Sequence, residues 1–232
     1  MTKSARSRIF AKIRHSSRGA TAAAIQEELN SFGKAPAADL PTADMATAFL
    51  ANVLKNQGTA ECAANRTDAE RAVGQYLYQH YRTHRLVAGS DPRLAAMPWR
   101  DAGVLPRFGT AEGNEPAALS YARLGVAETG AIVTFTGKAK PAANNLLAEH
   151  HIVLVNCEDL VGDMEEAWTR IEREVDRDGR PRGINFIAGP SSTADIEGQL
   201  VYGAHGPRAW HVILLGYAPA SALDDARELA AG

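Results

Sequence analysis

The chain has 232 residues, of which 45% are hydrophobic and 22% charged, and its formal net charge is −2. This length suits one α/β domain, and no apolar run approaches the ~20 residues that cross a bilayer, so no membrane span is expected. The near-neutral charge gives no general positive field that would attract nucleic acid or an anionic membrane, and neither partner is expected.

The first 41 residues are predicted to form a basic amino-terminal helix and a linker, followed by one domain at 42–232. Ile9, Phe10 and Ile13 share one face of this helix. Its basic residues precede the first acid, Glu27, and are Lys3, Arg6, Arg8, Lys12, Arg14 and Arg18. A signal peptide needs a longer uninterrupted apolar stretch, so a peripheral or partner-docking helix is favoured over a targeting segment.

Between residues 19 and 110 the sequence predicts short helices and strands. Helical spacing of apolar residues predicts helices near 22–29 and over 42–57, and a short strand is expected at 59–63. A further helix is expected where Ala69, Val73, Tyr76, Leu77 and His80 line one face. The many Gly and Pro residues of 86–110 predict a short strand, a helical turn and another short strand.

The second half contains short apolar runs rich in β-branched residues, and such runs are typical of strands buried on both faces of a parallel sheet. The runs are "AIVTF" (131–135), "HIVLV" (151–155), "INFIA" (184–188) and "HVILL" (211–215). Between the second and third runs, an apolar stripe of Met164, Ala167, Trp168, Ile171 and Val175 predicts a crossover helix. The pattern predicts a three-layer α/β fold with a mostly parallel sheet, whose ligands bind at the carboxyl ends of strands.

The chain contains two cysteines, Cys62 and Cys157, far apart in sequence. A Cys-ligated iron–sulfur cluster generally takes four thiolates, so this chain alone is expected to bind no such cofactor. A buried, reduced pair fits a cytoplasmic location, although one disulfide is also compatible with the sequence.

The stretch "GPSSTADIEGQLVYGAHGP" (189–207) follows the third run directly. Ser191, Ser192 and Thr193 are therefore expected where a helix begins, and free backbone N–H groups there bind carboxylate or phosphate. The alternative is that Ser192 only caps the helix, with Asp195 in the return position of a capping box.

Two further residues are candidates for proton transfer. His205 is flanked by glycine and proline, which predicts a tight loop, and a histidine there acts as acid, base or ligand, or only bonds to backbone. Glu128 precedes Thr129, Gly130 and an apolar run, and a carboxylate beside a buried strand suits a general base or nucleophile. The alternative for Glu128 is a solvated acid in a turn.

The motifs "AETGAIV", "GPSSTADIEGQLVYGAHGP" and "WHVILL", in this order, resemble the LUD-domain family of lactate utilisation proteins, in its lactate utilisation protein C branch. The basic opening "SRIFAKIR" also resembles that family's amino-terminal helix. The resemblance implies a fold of the NagB/RpiA/CoA-transferase-like type and a part in oxidising L-lactate to pyruvate. It also implies partners, lactate utilisation proteins that carry iron–sulfur clusters or cysteine-rich motifs.

The resemblance selects Glu128 and His205 as candidate catalytic residues that move a proton. Backbone amides near Ser191 are expected to hold a small anionic ligand. The candidate binding residues are Thr129, Gly130, Gly189, Pro190, Ser191, Ser192, Thr193, Asp195, Glu197 and Gly206, with Pro207 beside them.

Three functions remain open at the level of sequence. The first is a subunit, without a cluster of its own, of an iron–sulfur L-lactate oxidation system. The second is a stand-alone CoA-transferase-like or cyclo-ligase-like enzyme acting on a small anionic substrate, and the third is a non-catalytic assembly or regulatory protein. A ligand site built from the motifs requires Glu128, the 191–193 hydroxyl cluster and His205 to meet around one cavity.

Overall fold

The computed structural model describes residues 4–16, 19–33, 36, 39–196 and 199–232, in two compact units, Met1–Ala37 and Ala38–Gly232. The helices of the described residues are α1 (Ala5–Ser16), α2 (Ala22–Ser31), α3 (Met45–Lys55), α4 (Arg66–Tyr81), α5 (Pro92–Ala95), α6 (Ala143–Leu146), α7 (Met164–Asp178) and α8 (Ala222–Ala231). The strands are β1 (Thr59–Ala63), β2 (Arg85–Ala88), β3 (Leu105–Phe108), β4 (Ala117–Tyr121), β5 (Leu124–Val126), β6 (Ala131–Thr136), β7 (His150–Asn156), β8 (Leu160–Val161), β9 (Gly183–Ile187), β10 (Ser192–Ile196), β11 (Gln199–Tyr202) and β12 (Ala209–Leu215).

The larger sheet of the second unit, called here the large sheet, has the strand order β1-β12-β7-β4-β2-β3 among the described residues. All of its neighbouring strands are parallel. Its interior strands β7 and β12 are the predicted runs at 151–155 and 211–215. The predicted three-layer α/β class with a mostly parallel sheet is therefore confirmed.

Helices cover both faces of the large sheet, because alternate residues of its strands point to opposite sides. Ile152 and Ile213 pack against the α4 side chains around Leu77. Val153 and Val212 lie on the other face, in a cluster that includes residues of α3 and α8. Each large apolar side chain buried in these layers contributes roughly 1.5–3 kcal/mol to folding.

A second sheet, called here the small sheet, has the order β8-β5-β6-β9 among the described residues. The prediction that "AIVTF" and "INFIA" join the parallel sheet is wrong, because these runs are β6 and β9, which pair antiparallel with each other. β9 lies at an edge and is only half-buried. A local apolar run records that a strand is partly buried, but not which strand it pairs with.

The predicted crossover helix is confirmed as α7, although it crosses the small sheet. β8 is parallel to β5, and two antiparallel pairings, β5 to β6 and β6 to β9, make β9 parallel to both. α7 therefore connects two parallel strands at opposite edges. Its Ala167 and Ile171 are buried against the sheet, whereas Trp168 of the predicted stripe is 44% exposed and contacts Phe186 at a ring distance of 5.2 Å.

The prediction that a helix begins at Ser191–Thr193 is wrong. Ser192 opens β10, which pairs antiparallel with β11, Ser192 opposite Tyr202 and Thr193 opposite Val201. The hydroxyl residues lie in an extended ladder, so the expected row of free helical N–H groups does not form there, and Ser192 caps no helix.

Most predicted elements of the first half are confirmed. α3 and α4 match the expected helices, β1 has the expected bounds, and β2, α5, a 3₁₀ turn at Trp99–Ala102 and β3 follow the expected strand, turn and strand. In the first unit, the predicted basic helix is α1, with Ile9, Phe10 and Ile13 exposed; Lys3 and Arg18 lie outside the described residues. The boundary expected at 41/42 stays a prediction.

No helix among the described residues is both long enough and apolar enough to cross a bilayer.

Candidate functional site

The carboxyl ends of β1 and β12 border a cleft, because the chain leaves these neighbouring strands toward opposite faces of the large sheet. α4 follows β1 and packs on one face, whereas α8 follows β12 and packs on the other. This divergence is a topological switch point, where open α/β sheets bind ligands. The cavity, called here the switch-point cleft, has a volume of about 840 Å³; its polar and aromatic lining includes Arg66, Arg93, Tyr121, Asn156, Glu158 and Tyr217.

Two guanidinium groups line the switch-point cleft. The Arg93 guanidinium lies 3.8 Å from the centre of the Tyr121 ring and donates to the carbonyl oxygens of Tyr121 and Ala122, at 3.2 and 3.1 Å. Arg66 is the first residue of α4 and forms no ion pair with the other residues that the structure describes. The described lining thus has two guanidinium groups against one carboxylate, that of Glu158, so the cleft favours an anionic ligand.

Asp91, three residues beyond β2, fixes Arg93 from behind the cleft. Its carboxylate accepts from the Arg93 backbone and side chain, and its Oδ2 lies 2.8 Å from Nζ of Lys140. Burial alone would raise the pKa of Asp91, but hydrogen bonds from Arg93 and Lys140 outweigh burial and lower it to about 2. Asp91 is thus ionised at neutral pH and holds both cations in place.

The loop that carries Lys140 closes over a second, smaller space. Ser90 donates its backbone N–H to the Ala139 carbonyl at 2.7 Å, which fastens the loop to the end of β2. The chamber beneath has a volume of about 20 Å³, room for about one water molecule. It shares Tyr121 with the switch-point cleft and is also lined by Asp91.

A chain of hydrogen bonds runs from a buried histidine to the chamber wall. Nε2 of His151 lies 2.9 Å from the Ser120 hydroxyl, which donates to Asn145 Oδ1, and Asn145 Nδ2 donates to Thr134 Oγ1, both at 3.0 Å. Since the serine proton points to Asn145, His151 is the donor to Ser120. Burial lowers the pKa of His151 to about 4, so it is neutral. This arrangement orients Ser120 but does not activate it as a nucleophile.

The cysteines differ from the expected buried pair. Both are free, Cys62 is exposed and Cys157 is half-buried at the cleft. Burial raises the pKa of both thiols, that of Cys157 to about 11. Both therefore stay protonated at neutral pH and are poor nucleophiles.

Glu128, Thr129 and Gly130 form the turn between β5 and β6, at the opposite, amino edge of the large sheet. Glu128 is exposed, and its Oε2 accepts from the Met164 backbone N–H at 3.0 Å, where α7 begins. Asn52 donates to the Ala127 and Glu128 carbonyls. Gly130 has φ +66°, and a Cβ there would lie 2.5 Å from the Asn52 carbonyl carbon, so only glycine fits.

The motif at 189–207 begins beside the carboxyl end of α3, which also contacts the turn at 128–130. A Cβ on Gly189, whose φ is +98°, would lie 2.4 Å from the Asn56 carbonyl oxygen, and the Asn56 side chain donates to the Thr129 carbonyl at 2.7 Å. Ser191, beyond Pro190, donates its N–H to Pro207, and its carbonyl accepts from Gly203. These contacts give the motif glycines a packing role.

His205 lies in the expected loop and is exposed, at the rim of a separate cleft of about 750 Å³. Gly206 of this loop packs against Ser191. The described lining of this cleft includes neither Glu128 nor residues 191–193. The structure thus brings the His205 loop to Ser191 through Gly206, but it places Glu128 against the start of α7. Asp195 belongs to β10, its side chain outside the described part, and Glu197 lies outside the described residues.

Sequence analysis missed the residues of the carboxyl edge: Arg66, Asp91, Arg93, Tyr121 and Lys140. The available signal was "GSDPR" (89–93), an acid and a base two residues apart directly after a predicted strand. Lys140 carries no comparable signal, because its partner Asp91 lies 49 residues earlier in the chain.

Comparison with known proteins relates this chain to one family. The LUD domain model matches residues 114–215. Lactate utilization protein C of Halalkalibacterium halodurans is 35% identical over 188 residues, which cover 71% of this chain and 79% of that protein. The protein of the same name from Exiguobacterium sp. is 30% identical over 157 residues, which cover 63% of this chain and 66% of that protein. The one from Shouchella clausii is 36% identical over 98 residues, which cover 41% of this chain and 42% of that protein.

The matches to the Exiguobacterium and Shouchella proteins thus span less than two thirds of those relatives. Among solved structures, a DUF162 family protein from Deinococcus radiodurans aligns with a TM-score of 0.54 and 23% identity, covering 74% of this chain and 96% of that one. This likeness concerns the fold.

Proposed function

This chain belongs to the lactate utilization protein C family of LUD-domain proteins, and from that premise we propose that it is the ligand-binding subunit of an L-lactate oxidation system. The observation that carries the proposal is the pair of guanidinium groups, Arg66 and Arg93, in the switch-point cleft. Guanidinium binds a carboxylate through two parallel hydrogen bonds, which suits a 2-hydroxy acid.

The electrons of this reaction need an acceptor on another protein. Oxidation of L-lactate to pyruvate releases two electrons and two protons. With Cys62 and Cys157 as its cysteines, this chain has fewer than the four thiolates that an iron–sulfur cluster generally takes. We therefore assign the clusters to partner subunits, iron–sulfur and cysteine-rich lactate utilisation proteins, in the cytoplasm.

Glu128 and His205 stay predicted proton-transfer residues. Both residues lie at the amino edge, so proton transfer by either would take place outside the switch-point cleft.

The test is L-lactate-dependent dye reduction by the chain alone, by its partners alone and by the mixture. Activity is expected in the complete mixture, and Arg66→Gln is expected to lower kcat/KM at least about tenfold through loss of a charge-assisted hydrogen bond. The matched control is Arg71→Gln, on the same helix and paired with Asp68. Glu128→Gln and His205→Ala in the same assay test the two predicted proton-transfer residues.

The alternatives give different outcomes. Turnover of an acyl or phosphoryl substrate by the lone chain would replace the proposal with a stand-alone enzyme. Full activity of the Arg66→Gln mixture, combined with loss of activity when the chain is omitted, would indicate an assembly role.

A further inference from the structure

The switch-point cleft is much larger than a small hydroxy acid. Its volume of about 840 Å³ lies in the range of pockets that hold drug-sized ligands, roughly 300–1,000 Å³. A lactate bound through one guanidinium would leave most of this space to water.

The charged residues of the cleft suit phosphate. Arg66 and Arg93 both line it, and Arg66 has no carboxylate partner among the described residues. Arg93 shares its charge with Asp91, while the exposed Glu158 opposes an anion from the same wall. Because guanidinium binds phosphate oxygens in pairs, Arg66 is the main phosphate ligand and Arg93 the second.

The same cleft also carries an aromatic ring that contacts no other ring or cation among the residues that the structure describes. Tyr217 follows the last residue of β12 by two positions, lines the cleft and is 92% exposed. An exposed aromatic ring of this kind can stack on a planar heterocycle such as a nucleobase.

We propose that the switch-point cleft binds a nucleoside phosphate, with its phosphate at Arg66 and Arg93 and its base stacked on Tyr217. The inference rests on the proposed function only in placing the ligand site in this cleft. Because its phosphate uses the same two guanidinium groups, the nucleotide would compete with the hydroxy acid and act as an effector there.

The test is titration calorimetry of the full chain with ADP, GDP, UDP, adenosine, inorganic phosphate and L-lactate. At least one nucleotide is expected to bind more tightly than adenosine or phosphate. Arg66→Gln should weaken the nucleotide at least about tenfold and leave adenosine unchanged, whereas Tyr217→Ala should weaken nucleotide and adenosine about tenfold and leave phosphate unchanged. Both side chains are exposed, so both variants should fold; Arg71→Gln and Tyr78→Ala, on α4, are the controls.

The inference is overturned if none of the three nucleotides binds, or if binding is equal in wild type, Arg66→Gln and Tyr217→Ala. Binding of L-lactate through Arg66 without nucleotide binding would overturn it and leave the proposed function standing. Nucleotide binding with the expected variant pattern, in a chain whose complete mixture oxidises no L-lactate, would support it while the proposed function fails.

Discussion

The two edges of the large sheet differ in how their loops pack and in which residues line them. At the amino edge, side chains of α3 bond to the backbone of the turn at Thr129, and Gly189 and Gly130 pack directly on backbone atoms of the same helix. At the carboxyl edge, α4 and α8 diverge and leave a cleft lined by charged groups. The turns at Thr129 and Gly189 are therefore closely packed, whereas the switch-point cleft is lined by residues scattered along the chain.

Acid titration is expected to have the largest effect on the amino edge, because buried histidines lie at the amino ends of β7 and β12. Burial lowers the pKa of His150, His151 and His211 to about 4 each; nearby charges add to the effect for His150 and His211. The unfolded chain, with pKa about 6.5, binds more protons below that pH. Each neutral histidine therefore makes its full contribution to the free energy of unfolding above pH 6.5. Up to about 3 kcal/mol per histidine is lost as the pH falls toward 4.

Urea unfolding between pH 7.5 and 4.5 measures this dependence. His151→Gln should flatten the slope, and the exposed His84→Gln should not. A midpoint independent of pH across this window would contradict the buried, neutral histidines.

The second prediction concerns Gly189 at the amino edge. Gly189→Ala places a Cβ on a residue with φ +98° and 2.4 Å from a backbone oxygen. We expect a loss of about 3 kcal/mol in the free energy of unfolding, since left-handed strain and a backbone clash add. Gly113→Ala, where a Cβ meets no atom within 4 Å, is the control in the same denaturation experiment. Equal stability of the two variants would show that the α3 contact is not tight.

The third prediction concerns the carboxyl edge. Asp91→Asn keeps the size of the side chain but removes the charge that pairs with Arg93 and Lys140. The lowered pKa corresponds to about 2 kcal/mol at neutral pH, a contribution present above pH 3.8 and lost as pH falls toward 2. The exposed Asp224→Asn should change stability by less than about 0.5 kcal/mol. If both variants unfold at the same urea concentration, the buried pair contributes nothing net.

The smallest expected effect comes from Asn56. Asn56→Ala removes one hydrogen bond to the Thr129 carbonyl, and we expect a loss of about 1 kcal/mol, measured by urea denaturation. Gln79→Ala, exposed on α4, is the control. A loss no larger than in this control would mean that the turn at Thr129 is held by other contacts.

Local pattern predicted the elements more successfully than their partners. The bounds of β1 and the apolar face of α7 followed from spacing, because periodicity reports which side of an element is buried. The same runs did not reveal that β6 and β9 form a separate sheet, since a strand of either sheet has the same local composition. The helix expected at Ser191 failed because pairing with β11 outweighed a capping pattern of three residues.

The candidate site shows the same limit. Loop geometry at His205 was predictable from its flanking Gly and Pro, and the turn at Glu128 was one of two alternatives. The sequence did not predict that Lys140 pairs with Asp91 beside Arg93. That cluster forms because the Ser90–Ala139 hydrogen bond brings two loops, distant in the chain, together.

By itself, the sequence determined the α/β class, most helices and strands, and the family, because these depend on short-range periodicity and on contiguous motifs. The tertiary structure alone decided where the switch-point cleft lies, since this depends on the faces to which α4 and α8 turn after neighbouring strands. Packing between residues distant in the chain sets those directions, and no local pattern records them.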